Sequence, residues 1–171
     1  SGQSRRIDQG NNSPPTHHEL YAWDFPMRIG SPVLAVAAGR VIHVRDHLPN
    51  NAGPPHASKP AGESNVIEID HGGGRVSVYA HLDQNGVWVR PGQCVVRGQC
   101  IARSGNSGSS SGPHLHYEIR NVMGRSVPSG FIEWPANGGV PEEDDVVTSR
   151  NELDLDSLDE YTESQLPTDA F

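Results

Sequence analysis

Residues 111–120, "SGPHLHYEIR", place two histidines one residue apart inside what reads as a short strand. In an extended chain successive side chains alternate, so His114, His116 and Glu118 project to one face and Leu115, Tyr117 and Ile119 to the other. One face is apolar and suited to a core. The other is a row of imidazoles ending in a carboxylate. A solvent-facing strand can carry histidines without consequence, so the rest of the chain has to supply the reason for the pair.

On either side of this strand the chain is broken into short apolar runs. Its 171 residues suffice for one domain with a core, plus tails. A hydrophobic content of 34% with 19 Gly and 14 Pro favours short strands and tight turns over long helices, so the expected class is all-β. "SPVLAVAAGRVIHVR", 31–45, predicts a hairpin turning at Ala38-Gly39, and "NNAGPPHASKPAGES", 50–64, a loop. "NVIEIDHGGGRVSVYAHL", 65–82, predicts two strands around the "HGGG" turn, followed by an Asn85-Gly86 turn and a further short strand. "RPGQCVVRGQCIARSG", 90–105, adds a compact hairpin. "GNSGSSSGP", 105–113, is a small-residue loop that lets backbone approach closely beside the His-x-His strand; no Gly-Lys-Ser/Thr follows it, so it is not a phosphate loop. The expected organisation is an irregular arm over 1–15, the domain over 16–140 and a tail over 141–171 with helix-compatible pieces.

Charge follows the same division. The formal net charge is −8, but the segment from Pro141 onward carries −10 and the remainder +2. Basic runs are absent, which argues against a nucleic-acid partner. No stretch is long and apolar enough for a transmembrane segment, and no apolar signal-peptide core follows the N-terminus. The chain opens at Ser1-Gly2 in the manner of a processed or truncated product, which leaves export open. Cys94 and Cys100 are too few for a disulfide framework; a two-residue turn at Arg97-Gly98 would point them to opposite faces, a three-residue loop would place them opposite each other, and free thiols are the expectation.

The histidines number nine and need sorting. His81 ends "VSVYAH", where strict alternation puts it on the face of Ser77 and Tyr79. Asp24 lies in "YAWDFP" between Trp23 and Phe25, and a carboxylate among aromatics is costly to bury without a cation or donors. His17 and His18 precede it by seven and six residues. Catalytic zinc takes three protein ligands from His and Asp/Glu and keeps a fourth position for water. Two further imidazoles would serve as general base and oxyanion stabiliser. These parts fit metal-assisted hydrolysis.

Three blocks in order, "YAWDFPMRIGSPVLAVAAGRVIHV", "NVIEIDHGGGRVSVYAHL" and "VRPGQCVVRGQCIARSGNSGSSSGPHLHYEI", resemble the lysostaphin-type, LytM-like zinc endopeptidases that cut bacterial peptidoglycan. The resemblance covers about residues 16–120. It implies a compact antiparallel β domain with a groove over its central sheet, one Zn²⁺ per chain, peptidoglycan peptides as the partner, and a periplasmic or extracellular location. Carried over by position, Asp24 and His116 become metal ligands, and His81 and His114 the non-ligating catalytic histidines. Familiar members place the first metal histidine four residues before the Asp, where this chain has Leu20; "THH" then offers His17 or His18, and His17 is the one taken.

Other readings have their own requirements. A cupin-type barrel also uses His-x-His, but its acidic ligand follows at a longer gap than Glu118 and needs no Asp in an upstream block. A regulatory module on the same fold, activating other wall enzymes, is the stronger rival. His71 reads as structural beside its turn, and His43, His47 and His56 as solvated; Tyr79 and Glu118 are candidates to orient a histidine. The acidic tail is expected to be a solvated segment, with an intramolecular contact across the groove as the alternative.

Overall fold

The structure, a computed structural model, describes residues 2–14, 17–51 and 63–154. Eleven strands and no α-helix are found among them: β1 (Ser4–Arg6), β2 (Ala22–Pro26), β3 (Pro32–Leu34), β4 (Gly39–Arg45), β5 (Val66–Asp70), β6 (Val76–Ala80), β7 (Leu82–Val87), β8 (Cys94–Val95), β9 (Cys100–Ser104), β10 (His114–Arg120) and β11 (Val146–Thr148). The all-β expectation holds. The central sheet runs β2-β10-β6-β5-β4-β8, a smaller one β3-β9-β7, and every pairing is antiparallel.

The core lies between the two larger sheets. Tyr79, Tyr117, Ile67, Ile69 and Val41 face inward from the central sheet, and Val33, Ile101, Ala102 and Leu82 close over them from the other side. Leu115, Tyr117 and Ile119 occupy this apolar face, as alternation along "HLHYEIR" requires. His114, His116 and Glu118 therefore take the opposite face, which opens into a groove.

The β5–β6 hairpin forms around the "HGGG" turn, with Asp70 opposite Val76 and Gly72, Gly73 and Gly74 all at positive φ. The other two expected hairpins do not form. β3 pairs with β9 while β4 pairs with β5 and β8, so the bend before Gly39 carries the chain from one sheet to the other. Gly39 is needed for close approach there, since a Cβ on it would sit 2.6 Å from the Asp70 carbonyl oxygen. The Cys94 and Cys100 strands likewise part to different sheets, and both cysteines are free. Asn85-Gly86 is not a hairpin turn but lies within β7, where the register shifts between Leu82 and Val87 and Asn85 absorbs the distortion at φ 54°.

The expected irregular arm contains β1, which pairs with β11 from the acidic segment, Arg5 opposite Val147. Ile7 is fully buried, and Trp23 donates from its indole nitrogen to the Pro141 carbonyl at 3.3 Å. Both ends of the described chain are thus built onto the domain. The possible helical pieces of the tail beyond residue 154, and His56 with most of the 50–64 loop, lie outside the described residues.

Candidate metal centre and flanking histidines

Asp24 sits in β2 directly opposite His116 of β10. This register sets Asp24 Oδ1 2.9 Å from His116 Nδ1. The third member comes from the chain before β2. His17 is 1% exposed, its Nδ1 lies 2.9 Å from the Gly10 carbonyl oxygen and its Nε2 3.4 Å from Asp24 Oδ1. A carbonyl only accepts, so Nδ1 carries the proton and Nε2 the lone pair. That Nε2 is buried and makes no hydrogen bond. His18, the other candidate, is exposed.

Ligand atoms of His17, Asp24 and His116 lie within 4.8 Å of one another, and this is the group of such residues found among those described. Two imidazole nitrogens and one carboxylate oxygen make the donor set of a catalytic zinc site. The orphaned Nε2 of His17 supplies the test of fit: a buried acceptor without a partner carries a desolvation cost that a bound cation removes.

Behind His116 stands Glu118, 3% exposed, with Oε1 3.6 Å from His116 Nε2. Arg120 grips the same oxygen through Nε at 2.9 Å and Nη2 at 2.5 Å, and reaches Glu68 at 3.4 Å. Burial pulls His116 down, but its hydrogen bonds to Asp24 and Glu118 outweigh that and push it up to about 9 in the metal-free chain. Burial alone would raise Asp24; the hydrogen bond with His116 and the neighbouring imidazoles instead hold it well below the usual carboxylate range.

His81 and His114 stand beside the cluster, ring centroids 4.6 Å apart. His81 Nδ1 donates to the Ser107 carbonyl at 2.9 Å, and His114 Nδ1 to the Gly112 carbonyl at 2.8 Å. In each neutral ring Nε2 is thereby the lone-pair nitrogen, and His114 Nε2 lies 3.6 Å from Asp24 Oδ1. Burial, with the neighbouring His114 charge, pushes His81 down to about 4, so its ring is neutral at pH 7.

Two expectations from alternation need correction. His81 does not share the face of Tyr79: at φ 60° it leaves the strand geometry and joins Val78, Ala80, His114 and His116 on the groove side. Tyr79 is turned into the core, where its hydroxyl accepts from the Val36 amide at 3.0 Å, so it does not orient a site histidine. Glu118 does adjoin one. His71 is tied to the Ala38 carbonyl and the Ser77 hydroxyl away from the site, and His43 and His47 are exposed.

The small-residue loop does bring backbone close beside the site. A Cβ on Gly108 would collide with the Glu63 carbonyl, and Ser107, fully buried, is held by its hydroxyl to the Leu82 carbonyl and the Asn65 amide. The carbonyls of Gly10, Ser107 and Gly112, which fix three of the four ring orientations, carry no side-chain signal that sequence reading can find. The groove above these groups encloses about 1370 Å³ and extends from Asp8, Glu19 and Glu143 at one end to His43 and Arg45 at the other. Among the described residues of the acidic segment, Glu143 lines it. No helix among the described residues is long and apolar enough to cross a membrane.

Comparison with known proteins places this arrangement. The profile of peptidase family M23 matches residues 18–128. Over 133 residues the chain is 38% identical to the peptidoglycan DD-endopeptidase ShyA of Vibrio cholerae, covering 77% of this chain and 27% of that protein. It is 38% identical over 98 residues to the murein hydrolase activator NlpD of Escherichia coli, covering 57% of this chain and 22% of NlpD. The crystal structure of a zinc-containing peptidase from Vibrio cholerae superposes with a TM-score of 0.54 at 36% identity, over 72% of this chain and 35% of that one. The chain thus spans about a quarter of the length of these curated relatives.

Proposed function

We propose, from the premise that the chain belongs to peptidase family M23, that it is a zinc-dependent endopeptidase cutting peptide bonds in bacterial peptidoglycan, acting in the cell envelope or outside the cell. The observation that carries this reading is the buried, unbonded Nε2 of His17 facing the carboxylate oxygen that also meets His116 Nδ1. His17, Asp24 and His116 would hold one Zn²⁺. When bound, the ion supplies a Lewis acid for the scissile carbonyl and lowers the pKa of a bound water toward neutrality.

The chain's own groups handle the protons. With Nδ1 tied to a backbone carbonyl, His81 and His114 each offer Nε2 to the groove. One takes the proton of the attacking water; the other steadies the developing oxyanion or protonates the leaving amine. Glu118 Oε1 faces His116 Nε2 at 3.6 Å and would favour the proton on that nitrogen, turning the Nδ1 lone pair to the ion once it is bound.

The likeness to a murein hydrolase activator favours one rival, a non-catalytic module that activates other wall enzymes. Mass spectrometry of fragments released from purified cross-linked peptidoglycan, with and without a zinc chelator, decides between them. Chelator-sensitive peptide cleavage supports the endopeptidase and names the bond. Absence of any released peptide from zinc-loaded protein refutes it and leaves the activator reading.

A further inference from the structure

The strand that carries His114 and His116 walls a second cavity with its other face. Leu115, Tyr117 and Ile119 of β10 form one side of it, and Val33 and Leu34 of β3 with Val36 another. It encloses about 640 Å³, within the ~300–1,000 Å³ of small-ligand sites. Phe25, Val36, Leu115 and Phe131 line it and pack against the core, yet each stays part-exposed. Apolar surface open to a concave space is what an apolar guest removes from water.

The titratable groups of the lining are Arg5, Arg75, Arg97, Glu133, His71 and Tyr79. His71 spends both ring nitrogens on the Ala38 carbonyl and the Ser77 hydroxyl, and the Tyr79 hydroxyl meets the Val36 amide. Arg97 pairs at 3.5 Å with Asp154, which stands outside the lining. Glu133 accepts from the Arg150 amide at 3.3 Å. Arg5 donates to the Ser4 carbonyl and the Gln3 side-chain oxygen, both neutral. Arg75 is exposed and joins no ion pair among the described residues. With Asp154 set against Arg97, two guanidinium groups stand against the single carboxylate of Glu133, a surplus of one positive charge. The cavity also holds the buried Ser129 hydroxyl, which has no hydrogen-bond partner.

We propose that this cavity binds a single-chain carboxylate of the fatty-acid class, its hydrocarbon chain against the apolar walls and its carboxylate on Arg75. The walls disfavour a fully polar guest, and a surplus of one charge matches a carboxylate monoanion better than a phosphate close to the dianion. A guanidinium without a partner takes a carboxylate through paired N–H donors. Ser129 has a proton to donate to a guest oxygen that enters the cavity. Because side chains alternate across β10, this site and the groove lie on opposite faces of one strand, and the inference stands independently of the peptidase reading.

The test titrates decanoate, octanoate and decanol, each below the concentration at which it forms micelles, into the full chain by calorimetry, with the chain zinc-free and zinc-loaded. Decanoate is expected to bind both forms alike. It should bind at least about tenfold more tightly than octanoate, since each buried methylene is worth roughly fourfold. It should also exceed decanol by at least about tenfold, the share of the charged head. Arg75→Gln should abolish the preference for the acid over the alcohol at an unchanged Tm, and Arg75→Lys should keep part of it. Arg90→Gln, at an exposed position outside the lining, should keep all of it. No measurable binding of decanoate, equal affinity for decanoate and either comparison ligand, or a preference that survives Arg75→Gln or vanishes in Arg90→Gln would overturn the proposal. Binding to the zinc-loaded form alone would place the carboxylate on the metal and overturn it too, as would self-association of the chain without uptake of decanoate, which would assign the cavity to a second copy.

Discussion

His17 Nε2 lies 3.4 Å from Asp24 Oδ1 and makes no hydrogen bond, although the side chain is almost wholly buried. Folding has brought a ring nitrogen and a carboxylate oxygen side by side without a hydrogen bond, an arrangement that a bound cation satisfies. His17→Ala and Asp24→Asn are accordingly expected to lose zinc, with affinity falling by at least about a hundredfold, while His18→Ala keeps it. Metal content of the purified variants checks this; zinc retained by the Asp24 variant would contradict the ligand set.

The flanking histidines should behave oppositely. His81→Ala and His114→Ala remove groups that face the site without belonging to the three-residue cluster. Each should bind zinc as wild type does and lose on the order of 10²–10⁴ in turnover, the usual share of a general acid or base. Zinc content measured beside peptide release separates the two classes, and equal zinc loss from all four site variants would remove the division of roles.

Glu118 acts at one remove. It is buried, gripped by Arg120 and directed at the far nitrogen of His116. Glu118→Gln should weaken zinc binding by about 10–100-fold, as loss of a carboxylate behind a ligating imidazole does. Chelator competition on the folded variant gives the number, and an unchanged zinc affinity would reduce Glu118 to a structural partner of Arg120.

How far the sequence revealed this arrangement depended on the kind of information each feature carries. The two faces of "HLHYEIR" followed from alternation alone, and the three groups that cluster were already visible as side chains of ligand type. His81 was placed on the wrong face because alternation assumes extended backbone, and its φ of 60° breaks that assumption. The hairpins at Ala38-Gly39 and between the cysteines failed for another reason: local turn signals show where a chain bends, but not that the next strand pairs in a different sheet. The carbonyls that orient His17, His81 and His114 belong to backbone, whose position only the complete fold defines.

His71 gives a pH dependence whose sign follows from its surroundings. Burial pushes its pKa below 6.5, and the Ala38 carbonyl and Asp70 only partly oppose this. Above pH 6.5 the ring is neutral folded and unfolded, so it adds no pH dependence. As pH falls below that value the unfolded chain takes up a proton that the folded chain refuses, and stability drops until the folded pKa is reached. Urea unfolding of wild type and His71→Asn at pH 7.5 and 5.5 should show a smaller loss on acidification in the variant, and an equal or larger loss would reverse this assignment.

The acidic segment is built into the domain as far as it is described. Up to Asp154 it belongs to the domain: Pro141 accepts from the Trp23 indole, β11 pairs with β1, and Val147 is buried in the core. Removing residues 141–171 strips away these contacts and exposes Trp23 and Ile7, whose burial is worth about 1.5–3 kcal/mol for each large apolar side chain lost to solvent. A chain ending at residue 140 should therefore unfold at least ~10 °C below the full chain, since about 1 kcal/mol shifts Tm by some 2–8 °C in domains of this size range. A chain ending at residue 154 keeps every one of these contacts and should unfold at least ~10 °C above the 140-residue form. Calorimetry on the two truncations tests this, and it sets the condition for asking whether the acidic segment touches the groove: activity of a truncated form is informative only where the domain remains folded. Equal melting of both truncations would show that β1 and β11 add nothing to the fold's stability.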